Sequence, residues 1–453
     1  MPAQGSPARA CALMLAASLV LAAPAFARPA RGSPIPNASS SRSDSALPGP
    51  ALPGPGLAGS ALPGPGLAGS ALPGSGRPSS AGRAPGLPAA ACAVFGPLAY
   101  GGCPGPRMCP AHGGCAAEGP PRPARTAAPR EFTVVATGDV LVHGTVAEQA
   151  RRDAGGRGRD FRPMFAAIRP LVERADLAVC HLETPVAPLG GPYRGYPLFS
   201  VPPQVVRALA DTGYDTCSTA SNHTLDQGEA GVRRTLAALD RAGLRHAGSA
   251  RSRAEAAAPT ILDVRGARVA HLSFTYGFNG IPRPPGKKWI ANLLTADAVL
   301  GAARRAREAG AEVVIASLHW GEEYRHRPSP SQVRLAREIL RGDEVDLIIG
   351  HHAHVVQPFD RVHGNWVAYG LGNLLANQGA DAGPKHESAL AHFTFERRAG
   401  AWRVTKAQFT PLLIRTTPRI RIHPDPPGHP SHRTTRIIRS QGEPVPRTPT
   451  PDF

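Results

Sequence analysis

From Phe132 the chain reads Phe-Thr-Val-Val-Ala-Thr, an apolar-rich run that stops at Gly138-Asp139 and predicts a buried strand. Comparable short runs recur at 177–181, 216–220, 269–274, 313–318, 347–350 and 366–369. Between several of them the apolar positions return every three or four residues, predicting amphipathic helices over 205–211, 231–242, 296–309 and 331–341. Strands alternating with helices mean a layered α/β domain with at least one mixed sheet. Ligands in such sheets gather where strands end, and the polar residues of this chain fall there.

The ends of the chain read differently. Fifty Gly and fifty Pro crowd toward the two termini, and segments so poor in large apolar residues cannot bury enough surface to offset chain entropy. One ordered domain is therefore expected over 131–415, after a Gly/Pro/Ala-rich linker at 28–130 and before a basic, Pro-rich tail at 416–453. The linker repeats ALPGPGLAGS at 51–60 and 61–70, a decamer with no hydrophobic face to stack, so it reads as a spacer or stalk. Residues 1–27 read as a signal peptide: Arg9, an apolar run from Ala10 to Ala23, then Ala25-Phe26-Ala27 as a cleavage site. The run is short for a membrane span, and the expected location is extracellular or in the cell envelope. Cys11 precedes the core of that run, which argues against a lipoprotein.

Cysteine usage fits export. Cys92, Cys103, Cys109 and Cys115 lie within 24 residues, where disulfides or a zinc knuckle are both conceivable; the spacings lack paired C-x₂-C and favour disulfides. Cys180 and Cys217 fall in expected strands and read most simply as buried apolar residues. The formal charge of +18 would suit nucleic acid, but residues 1–129 hold +7 of it and 415–453 hold +4. With no nucleic-acid-binding motif, the basic ends suit weak adhesion to anionic wall polymers or lipid head groups. Arg outnumbers Lys 47 to 4, as codon bias alone would give.

Candidate metal ligands stand at five strand ends: Asp139 in TGDVLVHG, Glu183 in CHLETP, Asn222 and His223 in ASNHTLDQG, His319 in SLHWGEEY, and His352 and His354 in GHHAHVVQ. Each has an ordinary reading too. A lone Gly-Asp is commonly a turn, Asn-His a loop or cap, and an H-x-H pair on extended chain, with both rings on one side, can be structural. Their shared placement is harder to ascribe to chance. Carboxylate oxygens with imidazole nitrogens suit Mn, Fe or Zn better than Mg or Ca.

The order of these motifs resembles the calcineurin-like metallophosphoesterases, and the CapA branch, linked to poly-γ-glutamate capsule synthesis, more closely still. The likeness covers about 131–415 through GDVLVH, HLETP, SNHTLDQGEAG, SFTYGFNG, LHWGEEY, GHHAHVVQP and YGLGNLL. It implies a four-layer α-β-β-α sandwich holding one or two divalent ions. It also implies roles: Asp139, Glu183, Asn222, His319, His352 and His354 as ligands, and His223 stabilising the transition state or protonating a leaving oxygen. Leu141 stands where the phosphoesterases have the His of Asp-x-His, and His143 could substitute. His181, two residues before Glu183, could orient it. Asp226 could bond a ligand His or sit at a helix start; Glu322 and Glu323 could hold a cationic substrate; Tyr276 and Asn279 could line the pocket. Gly372 and Asn373 read as a tight turn.

These features imply an exported protein of capsule or cell-surface polymer biosynthesis. As an enzyme it would be a metal-dependent hydrolase or transferase acting on a phosphate ester or polymer amide. The alternative is a non-catalytic assembly or polymer-handling subunit on the same fold. Expected partners are an anionic surface polymer or its precursor and membrane-bound capsule synthesis subunits, with no nucleic acid. The leader motif predicts a mature protein beginning at about Arg28; amino-terminal sequencing of exported material checks this, and a chain beginning at Met1 would contradict it.

Overall fold

The computed structural model describes residues 130–379, 383–425 and 432–448. The leader, the decamer repeats and the four clustered cysteines lie outside the described residues. The first four strands, β1 (Glu131–Val140), β2 (Leu177–Leu182), β3 (Thr216–Ser218) and β4 (Arg245–Ala247), run parallel side by side. The next six build a second sheet: β5 (Thr260–Val264), β6 (Ala267–Thr275), β7 (Val313–His319), β8 (Leu347–His351), β9 (Phe359–Val362) and β10 (Asn365–Ala368). The chain then returns to the first sheet with β11 (Asn373–Leu375), β12 (Glu387–Arg398), β13 (Ala401–Arg415) and β14 (Arg421–Pro424). The first sheet is ordered β14-β13-β12-β1-β2-β3-β4, with β11 beside the end of β1, and the second β5-β6-β7-β8-β10-β9.

Among the described residues, nine α-helices connect and flank the sheets: α1 (Gly144–Asp153), α2 (Arg162–Phe165), α3 (Arg169–Val172), α4 (Gln204–Thr212), α5 (Gly228–Arg241), α6 (Arg253–Ala257), α7 (Ala296–Glu308), α8 (Pro330–Ile339) and α9 (His432–Ile438). The four helices expected from periodicity are α4, α5, α7 and α8. Among the described residues no helix is long and apolar enough to cross a membrane.

Side-chain alternation shows how the layers stack. On β1, Val134 and Ala136 point into a core shared with Val313, Ile315, Leu347 and Ile349 of the second sheet. Val135 points the opposite way, with Ala178 and Cys180 of β2, onto Val146 of α1, Leu209 of α4 and Leu236 of α5. Val314, Ala316 and Leu318 of β7 face a third core built from Val299 and Ala303 of α7 and Ile339 of α8. A period-two strand buried on both faces carries apolar residues throughout, which is why β1, β2, β7 and β8 read as unbroken runs. Three cores separate four layers, helix-sheet-sheet-helix, as the resemblance implied.

Two expectations are corrected. The ordered domain does not stop at Arg415: β14 pairs with β13, and the chain beyond adds α9. Ile438 and Val445 are buried in the inter-sheet core, Arg433 pairs with Glu387, and Phe409 exchanges backbone hydrogen bonds with Pro446 and Thr448. Pro and Arg dominate that segment's composition and conceal its few anchors. Second, Cys180 and Cys217 are buried, but they are also joined in a disulfide, being directly opposed on neighbouring parallel strands. The long hairpin of β12 and β13 turns on Ala399-Gly400, both at positive φ, a two-residue loop that suits the twist of its strands.

Since Ile438 is fully enclosed, Ile438→Ala is expected to cost about 2–4 kcal/mol in chemical denaturation of the full chain. A loss below about 0.5 kcal/mol, as for surface positions, would show that the carboxyl-terminal segment does not contribute to the core.

Candidate metal centre

Asp139 does not end its strand in a turn. β12 pairs with β1 only as far as Ala136, and β11 then takes its place, aligning Asn373 with Asp139. The exchange requires a glycine at 138, where a Cβ would lie 1.9 Å from the Gly372 carbonyl oxygen. Asp139 N–H donates to that carbonyl at 2.9 Å. Glu183 follows the last residue of β2, and its amide donates to Val140 O. The Ser-Asn-His turn after β3 is tied to it: Ser221 Oγ donates to Glu183 O at 2.6 Å and accepts from His223 N–H at 3.1 Å. His319 ends β7 and His351 ends β8.

These termini converge where the two sheets meet. Asp139 Oδ1 lies 3.2 Å from His351 Nδ1, and Oδ2 accepts from His352 N–H at 3.2 Å and from His354 Nδ1 at 3.1 Å. His354 Nε2 stands 3.7 Å from Glu183 Oε1, and His319 Nε2 stands 4.0 Å from the same oxygen. His319 Nε2 is also 2.8 Å from Asn222 Oδ1. His352 and His354 are not on extended chain; φ of 87° and 54° places both in the left-handed region. That conformation is uncommon for residues other than glycine, and it turns the two rings toward the centre.

Glu183 carries the strongest mark of a cation site. Its side chain is completely enclosed, yet among the described residues neither carboxylate oxygen has a hydrogen-bond partner. Burial pushes its pKa well above the usual carboxylate range, with His354 opposing and Asp139 reinforcing. Asp139 is also buried, but hydrogen bonds from His351 and His354 hold its pKa well below the ordinary value. For His354, burial is outweighed by Glu183 and Asp139, and its pKa rises to about 9. Burial, reinforced by His354, lowers His352 to about 3. Burial and neighbouring histidines likewise keep His319 and His181 neutral. Three groups bring one ligand atom per residue within 4.8 Å: Asp139, Glu183 and His354; Glu323, His352 and His354; and Asp139, His181 and His351. An orphaned buried carboxylate beside neutral imidazoles fits a divalent transition metal.

His223 is placed differently from the ligand-type residues. Its Nδ1 meets Asp226 Oδ2 at 2.7 Å, the same oxygen accepts from Phe199 N–H, and the ring abuts the edge of Phe199. Asp226 thus fixes His223 and leaves proton exchange to Nε2. The Tyr276 ring lies 4.6 Å from the His352 ring, tilted by 41°, and Asn279 Oδ1 accepts from Asn222 Nδ2.

Some residues depart from their expected places. His181 bonds Ser218 Oγ at 2.7 Å and His319 Nδ1 at 3.0 Å and stacks on His351, so it orients His319 rather than Glu183. The strand pleat sends it, like Leu177 and Val179, to the face that meets the second sheet, where His319 and His351 stand. His143 is outside all three clusters among the described residues; its Nδ1 lies near Leu141 O and Asn377 N–H. Burial lowers its pKa to about 4. Glu323 is exposed but lies in a cluster with His352 and His354. Sequence reasoning missed His351, the second ring on Asp139. It also missed Asn373, whose Oδ1 lies 3.0 Å from His354 Nδ1 while its amide donates to three oxygens around it. The doubled His of GHHAH and the length of the YGLGNLL block were the available signals.

A family model described as "Bacterial capsule synthesis protein PGA_cap" matches residues 133–378. The "Capsule biosynthesis protein CapA" of Bacillus anthracis is 28% identical over 258 residues, 55% of this chain and 61% of that protein. The "PGA biosynthesis protein CapA" of Bacillus subtilis (strain 168) is 29% identical over 211 residues, 44% of this chain and 52% of that one. The chain thus spans less than two thirds of either relative. Among solved structures, the calcineurin-like phosphoesterase YfkN from Bacillus subtilis covers 62% of this chain and 90% of its own at 14% identity, with a TM-score of 0.37.

Binding of a divalent metal requires neutral His354 and ionised Glu183, whereas their pKa values are raised to about 9 and well above the carboxylate range. At pH 7 metal uptake should therefore release protons, and apparent affinity should rise as pH climbs from 6 toward 9. Calorimetry of Mn binding in buffers of differing ionisation enthalpy measures this; affinity independent of pH would contradict the assignment.

Proposed function

The chain belongs to the bacterial capsule synthesis family PGA_cap, and on that footing we propose that it is an exported, metal-dependent hydrolase or transferase acting on a surface polymer of the poly-γ-glutamate type or its precursor. The observation that carries the reading is the enclosed Glu183 carboxylate, unpartnered and bordered by Asp139, His319 and His354. Asp139, Glu183, Asn222, His319, His352 and His354 would hold one or two ions, Mn, Fe or Zn in preference to Mg. Such an ion lowers the pKa of water to near neutrality and polarises a scissile phosphate ester or amide.

The protein's own groups would do the rest. His223, fixed at Nδ1 by Asp226, moves the proton at Nε2 toward the leaving oxygen or nitrogen. His181 and Asn373 set the tautomers and orientations of His319 and His354. Tyr276, nearly half exposed, and Glu323 border the approach to His352. Export is supported by the leader motif and by the Cys180–Cys217 disulfide, since such bonds persist in oxidising compartments. Membrane-bound capsule synthesis subunits are the partners this location offers.

One observation favours the assembly reading. Leu141 is buried where the phosphoesterases have a first-motif histidine, and His143 does not replace it. Elemental analysis of the exported protein purified without chelators separates the two. Wild type should hold or take up a transition metal, Glu183→Gln should lose most of it, and His223→Ala should keep it while turnover of a generic phosphodiester with added Mn falls about 100-fold. A wild type that neither holds nor gains metal leaves the assembly role in its place.

A further inference from the structure

Outside the metal centre, α8 differs from α1, α3 and α4, whose arginines are all paired within a turn. Arg151, Arg169, Arg207 and Arg233 each pair with a carboxylate three or four residues away. On and around α8, Arg327, Arg334, Arg337 and Arg341 are all exposed, and among the described residues none makes an ion pair. They line one groove of about 620 Å³. Glu338 also lines it, and Arg337 is felt electrostatically by Asp360, so four guanidiniums face two carboxylates without a contact pair.

The helix holds this array rigidly. Ser329 and Gln332 form a reciprocal cap at its start, Gln332 bonds Gln357, and Ala336 and Ile339 are locked into the core. Arg334 and Arg337 therefore share the outward side about one turn apart, with Arg341 just past the helix end. Pro330 and Val333 give the groove an apolar floor. We infer that this face of α8 is a docking track for an extended polycarboxylate chain, lying outside the reaction centre and holding the polymer on which that centre acts.

Three observations select this occupant. Guanidinium forks take carboxylates in paired hydrogen bonds, and Arg is weakly hydrated enough to exchange water for them. Among the described residues the groove has no aromatic side chain on which a base could stack, which disfavours single-stranded nucleic acid. None of the exposed large apolar residues lies on α8, and a membrane-surface helix would present such residues beside its cations. The choice of carboxylate over phosphate rests on the capsule-polymer reading above; the track itself does not require the metal centre to be active.

The test is salt-dependent binding of the full exported chain to poly-γ-glutamate, measured by calorimetry. Arg334→Glu/Arg337→Glu/Arg341→Glu should weaken binding about tenfold or more and reduce its sensitivity to salt, with melting temperature and metal content unchanged. The control is Arg157→Glu/Arg253→Glu/Arg305→Glu, three exposed and unpaired arginines elsewhere, which carries the same charge change and should cost less than threefold. Equal loss in the two triple variants would reduce the effect to net charge and overturn the track. Polyphosphate or anionic vesicles binding in place of poly-γ-glutamate would overturn the polycarboxylate assignment. Glu183→Gln should retain polymer affinity; if it loses that affinity while the α8 variant keeps it, the metal centre grips the polymer, the track fails and the proposed function stands.

Discussion

The Asp139 carboxylate fastens the two sheets together at the point where their chemistry lies. It belongs to β1 of the first sheet, yet three of the groups bonded to it come from the end of β8 in the second: the His351 ring, the His352 amide and the His354 ring. Hydrogen bonds to an ionised acceptor are stronger than neutral ones, and this carboxylate is shielded from water. Its backbone is secured separately by Gly372, which can approach only because residue 138 has no Cβ. The alignment of the sheets, the path of β11 and the position of the histidine loop thus meet in one residue.

Around that fixed point the structure keeps polar groups where an apolar core would be more stable. Six histidines, three acids and two asparagines are buried together, and among the described residues the Glu183 oxygens are left without donors. Positive φ at His352 and His354 adds backbone strain, of order 1–3 kcal/mol at such positions. Unpartnered buried charge and left-handed histidines are costs that a packed domain tolerates when something else, here a cation between the sheets, would satisfy them. Apolar cores lie on both faces of each sheet, so a local deficit at the strand ends does not unfold the whole.

The outer layers carry a different economy of charge. On α1, α3 and α4 the arginines pair with carboxylates within one turn, whereas Arg334 and Arg337 of α8 make no ion pair among the described residues, and positive charge collects there. The Cys180–Cys217 bond sits directly behind the paired His181 and Ser218, joining β2 to β3 where their next residues begin the site. Chain connectivity, charge and redox state therefore all act on strand ends, whereas the middles of the strands only pack.

The sequence by itself determined the parts whose signal is local. Continuous apolar runs marked β1, β2, β7 and β8 because strands buried on both faces need them, and three-four periodicity marked α4, α5, α7 and α8. Ligand-type residues were visible as polar interruptions at the ends of those runs. What only the tertiary structure decided were relations between segments far apart in the chain. Asn373 became a partner of His354 because β11 inserts beside β1, and His181 turned to His319 because the pleat aims it across the sheets. The segment 432–448 joined the core through Ile438 and Val445, two apolar anchors hidden in a composition dominated by Arg and Pro. Cys180 and Cys217 read as ordinary core residues until strand register set them opposite each other, since pairing across a parallel sheet depends on a register that no single strand encodes.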